Sequence, residues 1–131
     1  MLKITPLVAM LVATLALTAA TARADVNLFD NDQKVTVDCA KEKVVNITGN
    51  KATVTLTGTC DQVNISGNKA TVTGSVQRAN VSGNDNTLVL DAVDQILISG
   101  NKNSVTYKKA VKEKKTATLN TGNDNKISQG K

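Results

Sequence analysis

The sequence predicts an all-β domain, a single-stranded parallel β-helix (β-solenoid) of about five to six short coils. Three observations carry this: an internal repeat, a Gly-Asn pair at one phase of every copy, and apolar residues alternating with period two on either side of that pair. The repeat shows most clearly in Gly-Asn-Lys-Ala-Thr-Val-Thr, which occurs at 49–55 and again at 67–73. A hydroxyl residue followed by Gly-Asn recurs at Thr48-Gly49-Asn50, Ser66-Gly67-Asn68, Ser82-Gly83-Asn84, Ser99-Gly100-Asn101 and Thr121-Gly122-Asn123, with Phe29-Asp30-Asn31 as a degenerate first copy. Successive steps from Asp30 through Gly49, Gly67, Gly83, Gly100 and Gly122 are 19, 18, 16, 17 and 22 residues, so each coil holds 16–22.

Each copy reads as strand, corner, strand and return turn. Before the corner lie Val26 and Leu28, Val45 and Ile47, Val63 and Ile65, Ala79 and Val81, and Ile96 and Ile98. Five residues past the glycine position come Val35, Val54, Val72, Leu88, Val105 and Ile127. Threonine, valine, asparagine and glycine are weak helix formers, and the alternation has the wrong period for a helix. Antiparallel hairpins would not require the same residues to recur at each corner, whereas coils stacked about 4.8 Å apart do. Stacking superposes Asn31, Asn50, Asn68, Asn84, Asn101 and Asn123 as a ladder, each amide donating to the next and satisfying backbone groups of a buried bend. The glycine before them is expected to adopt a backbone conformation closed to most residues. Ala52, Ala70, Asn86, Asn103 and Asn125, three past the glycine, are assigned to the inside of the corner. The departure from strict hexads of left-handed β-helices favours a right-handed coil.

The last coil breaks the pattern. Ala117 and Leu119 sit at odd offsets from Gly122, which predicts a bulge or loop in the fifth step, placed at the charged segment 108–115. The polar end Ile127-Ser128-Gln129-Gly130-Lys131 reads as a terminal cap.

At the other end, residues 1–24 read as a secretory signal: Lys3, an apolar stretch over 7–20, and Ala22-Arg23-Ala24 as the cleavage site. Residues 25–131 then form the domain, without a membrane span, exported to the periplasm or secreted. The chain carries 16 basic and 11 acidic residues; losing Lys3 and Arg23 leaves 14 against 11, a net +3, too modest to imply a nucleic-acid partner. The charge is uneven, with six basic against nine acidic residues over 25–101 and eight lysines against two acids over 102–131. With one Phe, one Tyr and no Trp, small branched side chains must fill the interior.

Cys39 and Cys60, the only cysteines, fall in neighbouring coils, and an even count in an exported chain predicts a disulfide stapling the first two coils. Stacking brings their backbones within about 5–6 Å, a separation a disulfide accepts. The chain has no histidine, which removes Ser-His-Asp triads, histidine acid-base catalysis and most zinc chemistry. Asp91 and Asp94 are the nearest carboxylate pair, in a segment that reads better as a charged turn than as a catalytic site. The Gly-Asn-Asp-Asn segments at 83–86 and 122–125 faintly resemble calcium-binding nonapeptides, but Lys51, Lys69 and Lys102 at the equivalent position would repel a cation. Thr53, Thr55, Thr71, Thr73, Thr87, Ser104 and Thr106 form an outward hydroxyl stripe like that of some ice-binding solenoids, interrupted by Lys34 and Val89. Threonine is also the ordinary solvent-facing residue of a strand.

The secretory signal, the Ile/Val-Ser/Thr-Gly-Asn corners at 47–50, 65–68, 81–84 and 98–101, and the early cysteine pair resemble a bacterial exported family known as domain of unknown function 3060, over about residues 34–126. The resemblance implies an extracytoplasmic protein with no assigned activity and carries over no functional residue. The expectation is a non-enzymatic binding or scaffold module without cofactor or catalytic residues, its partner a cell-envelope polysaccharide or protein. A self-assembling fibre subunit is the alternative, and a polysaccharide-active protein the third reading.

Overall fold

The computed structural model describes residues 25–130; the predicted signal, residues 1–24, lies outside them. The described strands are β1 (Val26–Leu28), β2 (Lys34–Asp38), β3 (Val44–Ile47), β4 (Thr53–Ile65), β5 (Thr71–Val81), β6 (Thr87–Ile98), β7 (Ser104–Lys109), β8 (Ala117–Asn120) and β9 (Lys126–Gln129). They pair in the order β1-β3-β4-β5-β6-β7-β9, with β2 on β4 and β8 on β6. Every pairing is parallel. The chain is a β-solenoid of about six turns, as the repeat predicts.

Equivalent residues stack in register. Val26, Val45, Val63, Ala79 and Ile96 form one inward column, and Leu28, Ile47, Ile65, Val81 and Ile98 form a second. On the wall after the corner, Val35, Val54, Val72, Leu88, Val105 and Ile127 form a third. From Val45 to Val105 these columns are buried, so the branched aliphatic residues fill a narrow interior that aromatic rings would overfill. A short third wall stacks Thr59-Cys60, Ser75-Val76 and Ala92-Val93. At its lower end the Cys39–Cys60 disulfide joins the first two coils with the Cα atoms 4.7 Å apart. Closing a loop of 21 residues, it restricts the unfolded chain by about 3 kcal/mol.

The corners differ from the expectation in two respects. The glycines of the Gly-Asn pairs do not occupy the left-handed region. It is taken two residues later, by Asp32, Lys51, Lys69, Asp85, Lys102 and Asp124 at φ of 56° to 59°. Glycine is needed because coils approach closely there: a Cβ at Gly67 would overlap the Gly49 carbonyl oxygen, and one at Gly83 or Gly100 the oxygen of the glycine beneath. The corner asparagines do stack, but they are exposed and act mainly as acceptors. Asn31 Oδ1 accepts from Asn50 N–H (2.9 Å), Asn50 from Asn68 (3.1 Å), Asn68 from Asn84 (2.9 Å), Asn84 from Asn101 (3.0 Å) and Asn101 from Asn123 (3.0 Å). Backbone donors lie nearer than the amide above, and a side chain–side chain bond accompanies them only between Asn68 and Asn50.

The unequal steps are absorbed at the return turns. Between β4 and β5 the register shifts over Thr55–Thr59, and between β5 and β6 at Gly74–Ser75. The long fifth step is a loop at residues 110–116, shorter than the predicted 108–115 insertion at its start because Lys108 and Lys109 belong to β7. No bulge restores the apolar phase after it. β8 pairs with β6 in simple register, so Thr118 and Asn120 stand over Ile96 and Ile98, and Leu119 over the outward Leu97. The inward positions of the final coil are therefore polar where the stack meets solvent, and Asn120 Oδ1 accepts from Asn125 Nδ2 (2.9 Å) and Gly122 N–H (3.2 Å).

Candidate functional site

Inside the corner, Ala52, Ala70, Asn86 and Asn103 are buried as the spacing indicates. Asn86 and Asn103 donate from Nδ2 to the Gly67 and Gly83 carbonyls (3.1 and 2.9 Å) and accept from Ala70 and Asn86 N–H (2.8 and 2.9 Å). These side chains replace water in a dry bend, and all their contacts are internal. A further ladder, not recognised in the sequence, runs on the outer face: Asn46 donates to Asn27 (2.9 Å), Asn64 to Asn46 (2.8 Å) and Asn80 to Asn64 (2.9 Å). Its signal was an asparagine three residues before the glycine position in four consecutive copies.

Away from the ladders, side chains line a groove of about 590 Å³ running along the stack where the return turns meet the strands before the corners. Its floor is the outward column Gln62, Arg78, Gln95 and Ala117, one residue per coil. Asp61, Gln77 and Asp94 form one side, and Glu113 and Lys115 of the 110–116 loop close one end. Arg78 Nε donates to Gln95 Oε1 (3.2 Å), and its two Nη groups have no protein acceptor among the described residues.

Both acids of the predicted pair have partners in the structure. Asp91 faces Lys108 at 3.5 Å on the surface. Asp94 holds the loop: its carboxylate accepts from the N–H groups of Val111 (2.6 Å), Lys112 (2.9 Å) and Glu113 (3.2 Å). Burial alone would raise the Asp94 pKa, but the three amides, joined by the Lys112 charge, outweigh it and hold the carboxyl below its ordinary value. The remaining acid of the groove wall, Asp61, pairs with Lys43 at 3.1 Å.

The other surfaces offer less. The hydroxyl stripe stands on the flat wall of β4 to β7 with Val89 exposed inside it. The left-handed corner residues are three aspartates and three lysines, with Lys51 and Lys69 on successive coils, and among the described residues no group of three or more His, Cys, Asp or Glu side chains could hold a metal ion. Among the same residues no helix is long and apolar enough to cross a membrane. The disulfide accords with an oxidising compartment.

No curated protein and no solved structure matches the chain. A family profile described as protein of unknown function, DUF3060, matches residues 47–75 and 68–124, the coils that build the groove, and since these spans take in more than half of the chain the protein belongs to that family.

Proposed function

We propose that this protein is a non-enzymatic binding module of the extracytoplasmic space, and that its groove takes an extended polysaccharide of the cell envelope. The carrying observation is the lining: the Gln62 carboxamide, the Arg78 guanidinium and the Gln95 carboxamide follow one another at about the 4.8 Å rung spacing along an open channel, with Gln77 beside Arg78. Such a surface supplies many donors and acceptors, which suits a ligand dense in hydroxyls. A peptide adding as a strand would need an open sheet edge, and the strands flooring the groove are paired on both sides along most of its length. The secretory signal in the sequence and the disulfide support export. Asp91 and Asp94 are engaged in structural contacts, which supports binding without turnover.

The test is a screen of cell-envelope and plant polysaccharides by affinity electrophoresis and calorimetry on the chain beginning at Asp25. Binding is expected without release of fragments, weakened by Arg78→Ala and Gln95→Ala. A screen in which no polysaccharide binds would remove the reading, as would fragment release abolished by Asp91→Asn or Asp94→Asn.

A further inference from the structure

We infer that the groove selects acidic polysaccharide, its acid groups read by Arg78 and Lys115. This rests on the glycan-binding reading above and adds the charge of the ligand. Of the three acids along the groove, Asp61 is neutralised by Lys43 and Asp94 is saturated by three backbone N–H groups. Asp94 keeps its negative charge, since backbone N–H groups orient a carboxylate without neutralising it, and Glu113 has no ion-pair partner among the described residues. Against these two acids stand the Arg78 fork and Lys115, with Lys112 and Lys114 on the same loop and Lys109 at its root, Lys108 being paired with Asp91.

Lys109, Lys112, Lys114 and Lys115, with only Glu113 among them, repel one another, and an untethered segment would spread to relieve that repulsion. Here Asp94 fixes the loop backbone, so the loop is held with Lys115 at the groove and its other lysines close by in the chain. A held cluster of like charge is costly to the protein alone and is relieved by an anion. The Arg78 rung lies two rungs from that of Ala117, which the loop leads into, about 10 Å along the stack, with the Gln95 amide between. Acid groups repeated along a polymer engage both positions, which a single small anion does not span. Arg78 offers the planar fork that pairs two-point with a carboxylate or sulfate, and Lys115 a point charge.

The test uses alginate, polygalacturonate and hyaluronate, each beside its carboxyl-reduced form, with the chain beginning at Asp25. At least one acidic polymer is expected to bind about tenfold more tightly than its reduced form at low salt, the gap closing as salt rises. Arg78→Gln and Lys115→Gln should each cut acidic binding about fivefold and leave the reduced form unaffected. Both side chains are exposed, so unchanged melting curves serve as the folding control. Equal binding of acidic and reduced forms overturns the acid selectivity while leaving glycan binding in place. No binding to any polysaccharide overturns both. Single-stranded DNA binding as tightly as the acidic polymers would show a general polyanion surface and overturn the assignment to polysaccharide.

Discussion

Asn101 and Asn103 are two residues apart, both belong to inter-coil ladders, and yet they do different things for the fold. Asn101 is exposed at the corner, where water can replace the bond its side chain makes to Asn123 N–H. Asn103 is buried, and truncating it would leave Asn86 N–H and the Gly83 carbonyl facing a dry bend. Asn103→Ala should therefore cost about 2 kcal/mol and Asn101→Ala about 0.5–1 kcal/mol in urea unfolding followed by circular dichroism. Equal losses would mean that the inner ladder is not dry. That both columns exist was legible in the sequence, because the same residue type recurs at the same phase. Which atom accepts was not, since the nearest donor depends on how a corner turns back over the one below. The glycine column was likewise legible in position but not in cause, because a left-handed φ and a close approach both demand glycine and only coordinates separate them.

Among the elements, the 110–116 loop depends most on a single side chain. Asp94 is charged at neutral pH and bonds three consecutive amides, so Asp94→Ala should free the loop while the coils stay folded. Trypsin cleavage at Lys112, Lys114 and Lys115 is expected to rise at least about tenfold, because bonds to a charged acceptor are worth about 1.5–3 kcal/mol. The pH dependence has a defined sign. The folded-state pKa of Asp94 lies below its ordinary value of 3.8, so the tether is fully present above that value and is lost as pH falls through the lower one. The amide signals of Val111, Lys112 and Glu113 should shift together in an NMR titration below pH 3.8, and independent shifts would refute a shared acceptor. The sequence placed this excursion, as a bulge or loop, within two residues, and it is a loop. The odd offsets of Ala117 and Leu119 persist beyond it, because in the last coil the inward positions are exposed and Thr118 and Asn120 suit water better.

For the whole molecule the question is what stops the stack. Parallel coils leave unpaired backbone groups at both ends, and an acidic first coil above the basic end of another copy would invite head-to-tail growth into a fibre. Asp30 opposes this. It occupies the position held by glycine in all later coils, and a Cβ at Gly49 would overlap the Asp30 carbonyl oxygen of the coil beneath. The Asp30 side chain points by the same geometry at whatever lies below the first coil, so a Gly122 corner of a second copy cannot be seated there. Lys34 would also stack on Lys126 and Asp32 on Asp124, adding repulsion between like charges. The chain beginning at Asp25 is accordingly expected to remain monomeric by light scattering across concentration. Asp30→Gly removes the steric obstacle but not the charge repulsion, so association should appear only in high salt, where the Debye length falls to about 3 Å. If the variant stays monomeric in 1 M salt, the obstacle lies elsewhere on the end coils; if the parent chain itself forms fibres, Asp30 is no barrier and the repeat is built to polymerise.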